Sequence, residues 1–304
     1  GATSHHLISH CHITDVVEGI ESDAEYTKIY QSYVSVNSTN GVQGVVLSGD
    51  HCHVSGVDVV CPRTSWSGET PMGINLSGDS CKVESCTLSG WSTGSAGYGI
   101  YLSGTPSETQ LNQNVILSSY IGYGASSSDK GAIQIEGGSI RNCGYRGVSL
   151  ESVSALLVTG VTLDSPGSDR GVLLADVETL TFVGNTLRGS STSTGLEISG
   201  QDASGDRSLG VVVSDNYFYG FGTHAIYAFN TVSRVTLSNN HIDNYLGSST
   251  DVTARGILMK NFSTEVMSDV SILGNRVLNC THGITVQGST DVAVDLVKIE
   301  GNTV

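Results

Sequence analysis

Hydrophobic and polar positions alternate along this chain in short bursts separated by small and polar residues, and no long segment shows the 3.6-residue spacing of an amphipathic helix. One burst recurs with small changes. It reads L-T-F-V-G-N-T-L from Leu180, V-V-V-S-D-N-Y-F from Val211 and V-T-L-S-N-N-H-I from Val235, then V-S-I-L-G-N-R-V from Val270 and V-K-I-E-G-N-T-V from Val297. Between these copies stands a second burst, a small residue followed by aliphatic, any, aliphatic: Gly195-Leu196, Ala225-Ile226, Gly256-Ile257 and Gly283-Ile284. It can be followed back through Gly171-Val172, Gly147-Val148, Gly99-Ile100, Gly73-Ile74, Gly44-Val45 and Gly19-Ile20. Two strand-like phrases alternating at roughly 24–35 residues predict a coiled solenoid, one rung per repeat.

Earlier copies of the first burst are weaker: L-I-S-H-C-H-I, K-I-Y-Q-S-Y-V, H-V-S-G-V-D-V, K-V-E-S-C-T-L, V-I-L-S-S-Y-I and V-T-G-V-T-L. Aligned, the copies give a column of Cys11, Ser32, Val57, Cys86, Ser119, Val161, Asn185, Asn216, Asn240, Asn275 and Asn302. Five asparagines at one repeat position predict an asparagine ladder, each side-chain amide bonding to the next rung. Stacking in register at about 4.8 Å gives parallel sheets around a narrow apolar core, with roughly ten or eleven rungs in a rod on the order of 50 Å long. Near Ala132-Ile133-Gln134-Ile135-Glu136 the period collapses, and that segment fits either phrase. The reading is one elongated all-β domain over residues 1–304. Its end rungs lack caps, so a piece of a longer polypeptide, or ends covered by partners, is expected.

Composition sharpens this picture. The chain has 38 Gly but 4 Pro, and 14% charged residues with a formal net charge of −15. That balance argues against nucleic acid, whose phosphates need clustered Lys and Arg. No apolar run reaches transmembrane length, so no membrane insertion is expected. The 7 Cys lack zinc-type spacing and read as buried thiols. Cys52 and Cys81, in G-D-H-C-H-V and G-D-S-C-K-V, should stack on neighbouring rungs, with a disulfide left open. The pairs His10/His12 and His51/His53 fall short of a metal site, which normally takes three protein ligands. No metal or other cofactor is predicted.

The repeated V-x-x-x-N-x-aliphatic and Gly-Ile-x-Leu phrases resemble the right-handed, single-stranded parallel β-helix of the pectate-lyase-like superfamily. The Ser/Thr/Gly/Asn-rich style is most similar to bacteriophage tailspikes and capsule depolymerases. That resemblance implies a polysaccharide partner, glycosidic cleavage by a hydrolase or lyase, a homotrimer, and an extracellular or virion-surface location. The N-T-D…D-D…G-H-G…R-I-K set of polygalacturonases is missing, with Thr281-His282-Gly283 a partial echo, and the D-P-H-E of alginate epimerases is missing too. Fold analogy therefore carries most of the functional expectation, and a non-catalytic structural or adhesive rod is its rival.

Candidate chemistry lies on outward strand positions and in loops. Loops on consecutive rungs hold Arg63, Trp66 and Glu69, then Trp91, with Tyr98, Tyr101 and Tyr123 close in sequence and Asp129 in a third loop. Aromatic rings and charged groups on one side are what a sugar site requires. The competing reading packs these aromatics within their own loops or buries them against a neighbouring subunit. Hydrolysis usually needs two carboxylates about 5–9.5 Å apart. Glu136 and Glu151 form such a pair if the ambiguous segment joins the Gly-Ile sheet; in the other register they face different ways. Glu197 is a third outward candidate in that sheet. Acidic loops add Asp164, Asp169 and Asp176 with Arg170, and Asp202 and Asp206 with Arg207. A lyase would favour Tyr227 and Lys260.

Overall fold

The computed structural model describes residues 5–37, 42–62, 70–92, 96–125, 129–164, 167, 169–190, 192–200, 209–230, 232–244, 254–262, 266–288 and 293–304. These residues contain strands and no helix, wound as a parallel β-solenoid of about ten turns. Two compact units divide the chain, residues 1–150 and 151–304.

Most turns carry three short strands rather than two, while Arg146–Thr159 and Arg170–Val183 each run two of the three segments together as one long strand. The Asn-containing burst is split by a bend: Leu209–Ser214 belongs to one sheet, and Tyr217–Tyr219 to another. The three strand types are called here glycine-led, pre-ladder and post-ladder. In the first unit the glycine-led strands are Glu18–Ser22, Gln43–Leu47, Met72–Leu76, Tyr98–Leu102 and Ile121–Ala125, all parallel and in register. In the second they are the start of Arg170–Val183, then Thr194–Ser199, His224–Phe229, Arg255–Lys260 and His282–Gln287. Inward aliphatics such as Val45, Ile74, Ile100, Leu196, Ile226 and Ile257 are fully buried.

Glycine leads these strands because the chain comes too close there for a side chain. A Cβ at Gly73 would lie 2.5 Å from Gly99 O on the next turn and 2.6 Å from the Leu88 side chain. Leaving out that carbon lets the post-ladder aliphatics fill the core up to the glycine-led backbone.

The bend is built the same way on successive turns. The residue before the ladder position holds a positive φ, at Gly184 (67°), Asp215 (57°), Asn239 (54°), Gly274 (62°) and Gly301 (64°). These are residue types that tolerate the left-handed region. The ladder asparagines follow. Asn216 Nδ2 donates to Phe182 O on the preceding turn at 2.9 Å and to Asn240 Oδ1 on the next at 2.9 Å. Asn240 Nδ2 donates in the same way to Val213 O and Asn275 Oδ1. The predicted ladder is present, but the strained backbone sits one residue before it.

The register of the ambiguous segment is settled as pre-ladder. Ile133, Gln134, Ile135 and Glu136 pair with Thr109, Gln110, Leu111 and Asn112. One column assignment changes with it. Asn114, not Ser119, occupies the ladder position, since Val115 pairs with Thr87 and Asn114 Oδ1 accepts from Cys86 N at 3.1 Å. The phrase T-Q-L-N-Q-N-V-I-L contains the bend at Gln113, whose φ is 54°. Reading V-I-L-S-S-Y-I as the whole phrase misses it. All seven cysteines are free thiols. Cys52 and Cys81 do meet on neighbouring turns. The Cys81 hydrogen bond draws the Cys52 thiol down to about 7, and the same bond together with burial pushes Cys81 up.

Candidate functional site

The described residues bring charge and aromatic rings together on the outward side of the glycine-led sheet in the 151–304 unit. Inward positions there are aliphatic, so the alternating outward ones form columns running across the turns. One column is Leu173, Glu197, Tyr227, Leu258 and Thr285. The column three residues earlier is Arg170, Thr194, His224, Arg255 and His282, and two residues later stand Ser199, Phe229, Lys260 and Gln287.

Glu197 is the centre of this face. Its side chain is 6% exposed, and its Oε2 lies 2.6 Å from Arg170 Nε. A second carboxylate, Asp169, meets Nη1 of the same guanidinium. Burial works against the charge on Arg170, but Glu197 and Asp169 outweigh it and raise its pKa. One arginine thus holds two carboxylates in a partly dry setting.

Tyr227 is beside Glu197 on the next turn. Burial first, and then the negative charge of Glu197, raise its phenol above the ordinary value. Its ring stacks on His224 at 4.8 Å and on Phe229 at 4.8 Å, and Phe229 meets Phe262 edge-on at 6.4 Å. Phe262 is 54% exposed, and Lys260 Nζ lies 4.1 Å over its ring centre. These rings make an apolar strip next to the carboxylates, which suits the apolar face of a pyranose.

His224 titrates far from the usual value. Burial, with Arg255 and Lys260 adding repulsion, pushes its pKa down to about 4. Between about pH 4 and 6.5 the unfolded chain therefore binds a proton that the folded one refuses, so stability rises with pH across that window and falls on acidification. Melting temperatures measured from pH 7 to 4 are expected to fall for the wild type. The fall is expected to be shallower for His224→Asn, and identical slopes would refute this assignment.

The other expected site residues fare unevenly. Trp91 is fully buried, its indole Nε1 donating to Val59 O at 3.3 Å, so it is a core residue and not a sugar platform. Tyr123 is also an inward residue, buried to 1% exposure. Tyr98 and Tyr101 are half-buried on the outward glycine-led face of the first unit, with ring centres 4.6 Å apart. Gly124 makes room for the Tyr98 ring, which lies 2.3 Å from where a Cβ would stand. Arg63, Trp66 and Glu69, with Asp202, Asp206 and Arg207, lie outside the described residues.

Glu136 takes its place in the pre-ladder column opposite Asn112, where Gln134 Nε2 donates to it. Glu151 follows the glycine-led segment Gly147–Leu150. The condition for pairing these two carboxylates is therefore not met, because the register assigns them to different strand types. Sequence reasoning found Glu197 and Tyr227 and noted Asp169 with Arg170, but it did not join them. It missed His224, Phe229 and Phe262. The outward columns were the available signal, since Phe229 stands two residues after Tyr227 and His224 three before it, just ahead of the small residue Ala225 that opens the phrase.

A family model described as a right handed beta helix region matches residues 72–204 and 146–304. The chain belongs to the right-handed β-helix family. Among solved structures, this β-helix is similar to the tailspike protein of Dettilon, at 12% identity and a TM-score of 0.64. That match covers 96% of this chain and 61% of the tailspike, so the chain spans less than two thirds of it. The A-module of a mannuronan C-5 epimerase from Azotobacter vinelandii also matches, at 12% identity over 98% of this chain and 80% of its own, with a TM-score of 0.41. At such identities the likeness speaks for the β-helix fold alone. No curated protein sequence matches the chain.

Proposed function

We propose that this β-helix binds a surface polysaccharide and cleaves its glycosidic bonds at the Asp169–Arg170–Glu197–Tyr227 face. The observation that carries the reading is the buried Glu197, paired with Arg170 and lying beside the aromatic strip Tyr227, Phe229 and Phe262. Asp169 and Glu197, held by one guanidinium, supply the pair of carboxylates that glycosidic hydrolysis uses. Both carboxylates are engaged with Arg170, so the proton that the leaving oxygen needs is assigned to another group. Tyr227, its phenol raised by burial and Glu197, stays protonated at neutral pH and is placed to donate. Glu197 then acts as nucleophile or base. The raised phenol makes Tyr227 a poorer base, which disfavours the lyase role.

The same reading makes Tyr98 and Tyr101 an additional sugar-contacting pair. The protein it resembles in fold is named a tailspike, which supports a place at a virion or other extracellular surface, and a homotrimer there is part of the proposal. The test is incubation of the purified chain with a panel of bacterial surface glycans, following new reducing ends and the absorbance of unsaturated uronates. Reducing ends without that absorbance are expected. Absorbance would replace hydrolysis by elimination. Neither product nor binding with any glycan would favour the non-catalytic rod.

A further inference from the structure

A second constellation lies in the 1–150 unit, on the outward side of the pre-ladder strands. Strands Lys28–Tyr30, His53–Ser55 and Lys82–Glu84 pair in register, so Lys28, His53 and Lys82 form one column and Tyr30, Ser55 and Glu84 the next. The His53 ring reaches diagonally to both ends of the neighbouring column. Its Nδ1 lies 3.1 Å from Tyr30 Oη, and its Nε2 lies 2.7 Å from Glu84 Oε1. Ser55 stands between Tyr30 and Glu84, and its small side chain leaves the imidazole room to bridge them.

With a neutral His53 ring, these two hydrogen bonds set the proton positions. A charged Glu84 takes the Nε2 proton, so Nδ1 is left as an acceptor for the Tyr30 hydroxyl. Lys82 Nζ, 2.6 Å from Glu84 Oε2, holds that carboxyl below the usual range against burial, and His53 adds to the effect. Glu84 and His53 are 28% and 24% exposed, so the chain of groups is reached from solvent and is not a core network. Hydroxyl to imidazole to carboxylate is the connectivity of an activated nucleophile, its base and the group that orients the base. Lys28, exposed and two residues before Tyr30 on the same face, supplies a cation for an oxyanion.

We propose that Tyr30, His53 and Glu84 form a second catalytic site that removes ester-linked acyl groups from sugar hydroxyls. Tyr30 Oη attacks the ester carbonyl as its proton passes to His53 Nδ1. The C–O bond to the sugar breaks, and the departing sugar oxygen takes the proton from His53. Water then attacks the acyl-tyrosine, giving its proton to His53, and the tyrosine oxygen leaves and recovers that proton. The sum is ester plus water giving acid plus alcohol, with no other reactant. The site is independent of Glu197 in its residues.

The test uses the full chain with p-nitrophenyl acetate as the probe, reading nitrophenolate release and acetyl mass on mapped peptides. Wild-type protein is expected to hydrolyse the probe, with acetyl trapped on Tyr30 after acid quenching. Tyr30→Phe and His53→Gln are each expected to lower the rate about 10²-fold. Both Tyr30 and His53 face outward, and unchanged melting of the two variants checks that they fold. Wild-type rates matched by Tyr30→Phe, or acetyl found on exposed lysines and histidines but not on Tyr30, would overturn the proposal. So would a wild-type rate no faster than buffer.

Discussion

Replacing Asn240 by alanine is expected to cost about 3–5 kcal/mol, lowering the melting temperature by roughly 10 °C. Asn240 is buried and joined to two turns at once. Its Oδ1 accepts from Asn216 N at 3.2 Å and from Asn216 Nδ2 at 2.9 Å, while its Nδ2 donates to Val213 O and Asn275 Oδ1. Truncation leaves the Asn216 N–H and the Val213 carbonyl without these partners in a place water does not reach, and opens a cavity besides. Asn302, at the same repeat position but only half-buried, donates to Ile272 O at 2.8 Å. Asn302→Ala is expected to cost about 1 kcal/mol, because solvent can replace what it loses. Urea unfolding of the two variants decides the matter. Equal losses would mean that the ladder amides contribute through the turn alone and not through burial.

Glu197→Gln is expected to lower glycan cleavage about 10³-fold while leaving the fold in place, since the amide keeps the shape of the carboxylate. The variant also has a readout independent of any substrate. One of the two causes that raise the Tyr227 phenol is the charge of Glu197, and the other, larger one is burial. Ultraviolet titration should therefore show Tyr227 ionising at lower pH in the variant than in the wild type. An unchanged phenol would mean that Glu197 and Tyr227 are not electrostatically joined. Full retention of cleavage with the expected shift in Tyr227 would move the chemistry away from this face. Tyr227→Phe complements the test, because losing the proton donor while keeping the ring should spare glycan binding and reduce turnover.

The amino-acid sequence by itself determined the solenoid. Leu180, Val211, Val235, Val270 and Val297 begin copies of one phrase, and Gly195, Gly256 and Gly283 begin copies of another, because each turn must solve the same local problem of strand, bend and close approach. That problem is written in neighbouring residues, so the ladder from Asn185 to Asn302 was legible as a column. Where a turn departs from the phrase, the local signal fails. The bend at Gln113 looks unlike Gly184 or Asn239, so Asn114 was passed over for Ser119, and Glu136 was left between two registers.

Only the tertiary structure decided which candidates face inward and which meet. Trp91 sits in a loop-like stretch rich in small residues, yet its large ring is worth more in the core, where the Val59 carbonyl satisfies its N–H. Glu197, Arg170 and Tyr227 come from successive turns, and Tyr30, His53 and Glu84 from three others. No local pattern records the partner of a side chain that reaches across about 4.8 Å to the next turn. The repeat fixes the backbone of each turn, whereas chemistry on this fold is made by differences between turns, and those appear only when the turns are stacked.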